Sequence, residues 1–167
     1  MPFKDILCSI LVIFNLQILS AQYEIKSNNE KSIAIGYIYN SYEEVTKDFH
    51  LLELEYWHTQ YSTYPHYFVV TKYAGLEIGL NTDTFVIGPK FGASLNYGPI
   101  IIGMESLAYT NFDETTLRIA PIFGYGNHRF KLSFSVQIRI INRSFIPTNL
   151  GQFNFAMKIA TFKNSVN

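Results

Sequence analysis

The stretch "FKLSFSVQIRII", residues 130–141, sorts its side chains by parity. Phe130, Leu132, Phe134, Val136, Ile138 and Ile140 fall on one side of an extended chain. Lys131, Ser133, Ser135, Gln137 and Arg139 fall on the other. Strict alternation is the period of a β-strand, not of a helix, and β-branched and aromatic residues fit a pleated surface. Whichever face is interior decides between a soluble barrel and one embedded in a membrane.

Working outward, seven further stretches of the same character lie between Ser32 and Lys163, and none has a helical period. The eight run 32–40, 49–60, 68–80, 85–97, 100–110, 115–125, 128–142 and 152–162. Between them lie connections with turn chemistry: "SYEEVTKD", "NTDT", Gly98-Pro99, "NFDE", Gly126-Asn127 and "RSFIPTNLG". The second connection, "YSTYPHY" at 61–67, is longer and more aromatic than a tight turn. Eight short strands joined in sequence predict an all-β fold, an eight-stranded antiparallel up-and-down barrel.

Tight turns fix the register of their hairpins. Reversal at Gly98-Pro99 sets Leu95 opposite Ile102, Ala93 opposite Met104 and Ser94 opposite Gly103. Reversal at Gly126-Asn127 sets Phe123 opposite Phe130, Pro121 opposite Leu132, Ile119 opposite Phe134 and Leu117 opposite Val136. Reversal at "NTDT" sets Lys90 opposite Gly75, diagonal to Glu77 and Glu105.

The non-apolar face answers the opening question. It carries Ser32, Ala34 and Gly36; then Thr71, Tyr73, Gly75, Glu77 and Gly79; then Gly88, Lys90, Gly92, Ser94 and Asn96. Gly103 and Glu105 follow, with Arg118, Ala120 and Gly124, and finally Asn154, Ala156 and Lys158. A water-facing sheet would carry many long charged side chains. A narrow eight-stranded barrel instead fills its interior with side chains, and needs small residues around a few large ones. The rare charges balance, with Glu53, Glu55, Glu77 and Glu105 against Lys90, Arg118, Arg139 and Lys158. Charges enclosed in a barrel must be paired, so these eight are expected to form an interior ion-pair network.

The apolar face is then the outside, with Ile78, Ile87, Phe91, Ile102, Ile119, Phe134 and Phe155 among its lipid-facing residues. Strands of roughly 9–11 tilted residues cross a bilayer, and tyrosines near strand ends mark interfacial girdles. Tyr37, Tyr39, Tyr56, Tyr97, Tyr109 and Tyr125 are read as such a girdle. The fold expected is therefore a transmembrane barrel. Lys72 lies on the outward face, where its stem can snorkel to the interface or a bulge can redirect it.

Residues 1–22 have the layout of a secretory signal: Lys4, an apolar run from Ile6 to Leu19, and a small-residue exit at Ser20-Ala21-Gln22. The barrel domain is expected to cover 23–167. Cys8 is the only cysteine and lies in that leader, so disulfide and thiol chemistry are excluded from the cleaved chain. Thirteen Lys and Arg match thirteen Asp and Glu, so no basic field points to nucleic acid.

With the "SAQ" leader end, alternating strands, the "GP" and "GN" turns and the "IGPKFG" stretch, residues 23–163 resemble the small eight-stranded outer-membrane β-barrel proteins of Gram-negative bacteria. The resemblance implies an outer-membrane location. It also implies outer-membrane lipid and the barrel-assembly machinery as partners, a monomer, and tight turns on the periplasmic side. The loops near 41–48, 81–84, 111–114 and 143–151 would then face outward. It names no surface ligand.

Chemistry finds little support. His50, His58, His66 and His128 share no spacing with a cysteine or carboxylate cluster, so no metal or cofactor is expected. The "NRS" at 142–144 is a sequon that occurs often by chance. The expected function is a non-enzymatic integral outer-membrane protein with a structural or surface-interaction role. The alternatives are a soluble periplasmic lipocalin-like carrier, with its faces reversed, and a lipid-modifying membrane enzyme using His58.

Overall fold

The computed structural model describes residues 28–41, 47–62, 67–145 and 147–166; for 163–166 it describes the backbone only. The leader expected at 1–22 and His66 lie outside these residues. Nine strands run in chain order: β1 (Asn28–Ser41), β2 (Phe49–Ser62), β3 (Phe68–Gly79), β4 (Ile87–Tyr97), β5 (Ile100–Thr110), β6 (Thr115–Gly126), β7 (Phe130–Val136), β8 (Ile138–Ile141) and β9 (Gly151–Val166). Each pairs antiparallel with its neighbours, and β9 closes on β1. The stretch expected as one strand at 128–142 is two strands separated at Gln137. β7 lies between β6 and β9, and β8 continues along β6. The result is a closed eight-stranded barrel with one extra strand.

The closure is sheared. A hydrogen-bonded row leaving Asn28 passes Tyr61, Val69, Asn96, Ile101, Gly124, Ser133 and Asn154, then meets β1 again at Ile38. Stagger and strand tilt are coupled in a barrel, and eight strands with such a shear tilt by roughly 35–45°. Closure pairs the other eight strands on both sides, while β8 pairs with β6 alone.

Two expected registers hold. Leu95 faces Ile102, Ala93 faces Met104, and Ser94 faces Gly103. Gly98 takes φ +58°, the value that the first central position of a II′ hairpin demands and that glycine adopts without strain. Lys90 faces Gly75.

The register expected for the next hairpin is wrong by four residues. Phe123 faces Phe134, Tyr125 faces Leu132 and Ile122 faces Ser135. The chain reverses at His128-Arg129, not at Gly126-Asn127. The Asn127 carboxamide oxygen accepts the backbone N–H groups of Arg129 and Phe130 at 2.7 and 3.3 Å, and Asn127 N–H donates to the Phe130 carbonyl at 2.9 Å. An asparagine closing its own turn in this way moves the reversal two residues along. A shift of four keeps parity, so the side chains of this hairpin stay on the faces expected.

Candidate functional site

Parity places glycine, serine and long polar chains inside. Several large interior side chains lie against glycines. A Cβ on Gly75 would come within 2.9 Å of the Glu55 side chain, one on Gly92 within 2.6 Å of the Tyr73 ring, and one on Gly88 within 2.6 Å of the Tyr109 ring. Gly36 leaves room for the Glu53 carboxylate in the same way. The glycines clear space for an interior that is charged and solid.

Lys90, near the middle of β4, is the hub. Its ammonium pairs with Glu53, lies 3.1 Å from both Glu55 Oε1 and Glu77 Oε1, and lies 3.7 Å from Glu105 Oε2. All five residues are buried. The carboxylates are held independently as well. Asn154 Nδ2 donates to both Glu53 oxygens at 2.8 Å, and Trp57 Nε1 donates to Glu55 Oε2 at 2.6 Å. Lys131 Nζ lies 3.2 Å from both Glu55 oxygens and 4.3 Å from the centre of the Tyr73 ring. Tyr109 donates to Glu77, and Tyr73 donates to Glu105 at 3.1 Å. Buried charges persist only where such partners offset their desolvation.

Of the eight residues expected in one network, Glu53, Glu55, Glu77, Lys90 and Glu105 come together. Arg118 lies deeper toward the loop end, its guanidinium 4.9 Å from the centre of the Tyr109 ring. It donates to Gln137 Oε1 at 2.5 Å, Thr148 Oγ1 at 3.0 Å and the Asn149 carbonyl at 3.2 Å. Lys158 pairs with Glu30 at 2.5 Å near the tight-turn end. Arg139 stands half-buried at the loop-end rim and donates to the Arg143 carbonyl. Lys131 belongs with the hub; its parity placed it inside, but its link to Glu55 spans strands too far apart in sequence to read.

Part of the connection between β8 and β9 folds into the mouth. Pro147, Thr148 and Asn149 are buried. Asn40 Nδ2 donates to the carbonyls of Asn149 and Gly151 at 3.0 Å, and Asn149 Nδ2 donates to the Lys47 carbonyl at 2.8 Å. Arg118 anchors this plug from below. Toward the tight-turn end, a cavity with room for about one water molecule lies among Trp57, Thr71, Tyr73, Ser94, Asn96 and Lys131.

The outer wall is apolar. Phe91 is 66% exposed, Ile102 53%, Phe155 47% and Phe134 40%, while Ile78, Ile87 and Ile119 share that face half-buried against neighbours. Of the tyrosines expected in a girdle, Tyr37, Tyr56, Tyr97 and Tyr125 are exposed. Tyr109 is the correction, being 0% exposed. It shares parity with Glu105 and Gly103, and its hydroxyl receives Gln152 Nε2 at 2.7 Å and Gln137 Nε2 at 3.1 Å. Residue type suggested the girdle; alternation put the ring inside.

The described histidines stand apart. His50 bonds Tyr37 and stacks beside it. His128 stacks on Tyr61 with centroids 4.4 Å apart, and its Nδ1 lies 2.9 Å from the Tyr67 hydroxyl. Burial, with Lys158 nearby, holds the His128 imidazole below its ordinary pKa. His58 faces outward between Lys31 and Lys72. Among the described residues, no cluster of three His, Cys, Asp or Glu is arranged to hold a metal ion. Comparison of the chain with family models, curated proteins and solved structures returned no match.

Proposed function

We propose that this protein is an integral outer-membrane β-barrel of the small eight-stranded class, non-enzymatic, and structural or surface-interacting in role. The observation that carries the reading is the inversion of polarity. The interior holds Glu53, Glu55, Glu77, Lys90, Glu105, Arg118 and Lys131, and the exterior holds phenylalanines, isoleucines and leucines on every side. Soluble monomers rarely expose a contiguous apolar patch beyond a few hundred Å², whereas such a belt is at equilibrium against acyl chains. Strands of 11 to 16 residues in the unbroken staves are long enough to cross when tilted.

The packed interior weighs against a lipocalin-like carrier, which needs an apolar cavity larger than one water molecule. The interior carboxylates are committed to ammonium, amide and phenol partners, which supports a structural plug in preference to a conduit or a catalytic centre. At the loop end, Phe85 and Phe112 are exposed and stack with centroids 6.0 Å apart, which offers an apolar surface to a partner.

The test is gel mobility of protein taken from washed outer membranes, unboiled against boiled in SDS. The reading requires detergent for extraction and a mobility shift on boiling. Protein recovered free in the periplasmic fraction, with no shift, would overturn it.

A further inference from the structure

The outer wall carries one feature that a purely apolar belt does not need. Lys31 in β1 faces His58 in β2, and His58 faces Lys72 in β3. The three stand side by side on the outward face, each three or four residues from the tight-turn end of its strand. Lys31 and Lys72 are exposed and His58 is half-buried. Gln60, exposed and one outward position nearer the end, adds an amide.

No carboxylate of the described residues answers this row. Among the described residues, Glu30, Glu53, Glu55, Glu77 and Glu105 are buried in the barrel. Asp48, Asp83, Asp113 and Glu114 lie in the connections at the opposite, loop end. No hydrogen bond or ion pair joins Lys31, His58 or Lys72 to another described residue. Lys31 and Lys72 flank His58, and a lysine on a lipid-facing wall is costly except near the interface. Directly beyond the row, Ile33, Tyr56 and Ala74, then Ile35, Leu54 and Leu76, continue the same three strands as apolar wall.

We propose that Lys31, His58 and Lys72 form a binding row for the phosphate of an anionic phospholipid whose acyl chains lie along that wall. The inference rests on the membrane reading above. Two ammonium groups supply the charge, and the imidazole and the Gln60 amide supply directional donors between them. The row then stands at the headgroup level of the leaflet nearest the tight turns. It anchors the barrel's depth there and selects the lipid beside β1 to β3.

The test reconstitutes the full chain in phosphatidylcholine bilayers containing spin-labelled phosphatidylglycerol or spin-labelled phosphatidylcholine, and measures the motionally restricted fraction of each. The wild type restricts phosphatidylglycerol preferentially, and K31Q/K72Q loses that preference by about fivefold per lysine. K47Q, at the loop end, leaves it intact, and millimolar inorganic phosphate does not compete. Equal restriction of the two lipids by the wild type, or an undiminished preference in K31Q/K72Q, overturns the proposal. An equal loss in K47Q, or competition by free phosphate, overturns it too. Failure of the membrane reading registers separately, as no inserted, heat-shifted species in phosphatidylcholine alone; the same gel reports whether each variant has folded.

Discussion

Replacing Lys90 by methionine removes one cation from the centre of four buried carboxylates while keeping all but the last atom of the side chain's length. At an effective dielectric of about 20, a contact of 3.1 Å, as with Glu55 and Glu77, carries roughly 5 kcal/mol of gross attraction. Desolvation offsets most of that, and breaking one partner out of a buried pair costs about 3–5 kcal/mol net. The remaining donors place the expectation at the lower end. Glu53 keeps Asn154, Glu55 keeps Lys131 and Trp57, Glu77 keeps Tyr109, and Glu105 keeps Tyr73. K90M is therefore expected to lose about 3 kcal/mol. Adding E53Q should recover part of it, because the carboxylate that pairs most closely with Lys90 no longer carries an uncompensated charge. Trp57 is the only tryptophan in the chain and donates to Glu55, so its fluorescence during urea titration in lipid vesicles reads this cluster directly. A K90M loss under about 1 kcal/mol, or no coupling between the two substitutions, would refute the idea that the hub is a mutually dependent charge network.

Three other perturbations probe different parts of the barrel. Ile102→Arg on the outer wall should cost about 2–4 kcal/mol in a bilayer if the site lies near mid-depth, and a cost near zero would point to an aqueous surroundings. Gly92→Leu drives a side chain toward the Tyr73 ring, 2.6 Å from where its Cβ would stand, and should destabilise by about 1–3 kcal/mol, seen as a lower urea midpoint. His128 is favoured neutral in the folded protein, so the folded state binds fewer protons than the unfolded chain. Its contribution is fully present above the ordinary imidazole value of about 6.5 and is lost as pH falls below it; His128→Gln should flatten that part of the stability–pH curve, and an unchanged curve would exclude the residue as its source.

The barrel was legible because alternation, turn residues and the small-residue face all pointed one way. Parity is robust, since a register shift of two or four leaves it intact, and for the same reason it cannot fix register. The hairpin after β6 illustrates this. Gly126-Asn127 looks like a two-residue turn, yet the Asn127 side chain closes the turn after itself, and no hydrophobic pattern distinguishes the two registers. Tyr109 has the residue type of a girdle but the parity of Gly103 and Glu105, and parity decides where its ring lies. The hub itself was partly readable, because the "NTDT" reversal put Lys90 next to Glu77 and Glu105. Its links to Glu53 and Glu55, and that of Lys131 to Glu55, run across the lumen between strands that are not neighbours, where register arithmetic says nothing. The plug formed by Thr148 and Asn149 was unreadable for a different reason: it is irregular backbone with no period, held by hydrogen bonds to Arg118 and Asn40.

The most direct test of the central claim, that the apolar face meets lipid and the charged face is enclosed, is quenching of tryptophan fluorescence by lipids brominated on their acyl chains. The wild type carries its indole inside, at Trp57, which is 3% exposed. F91W and I102W, each made in a W57F background, carry it on the outer wall. The account predicts strong quenching in both outer-wall proteins and much weaker quenching of Trp57. Strong quenching at Trp57 with none at positions 91 and 102 would mean the faces are reversed, and equal absence of quenching at all three would mean the barrel does not reside in the bilayer.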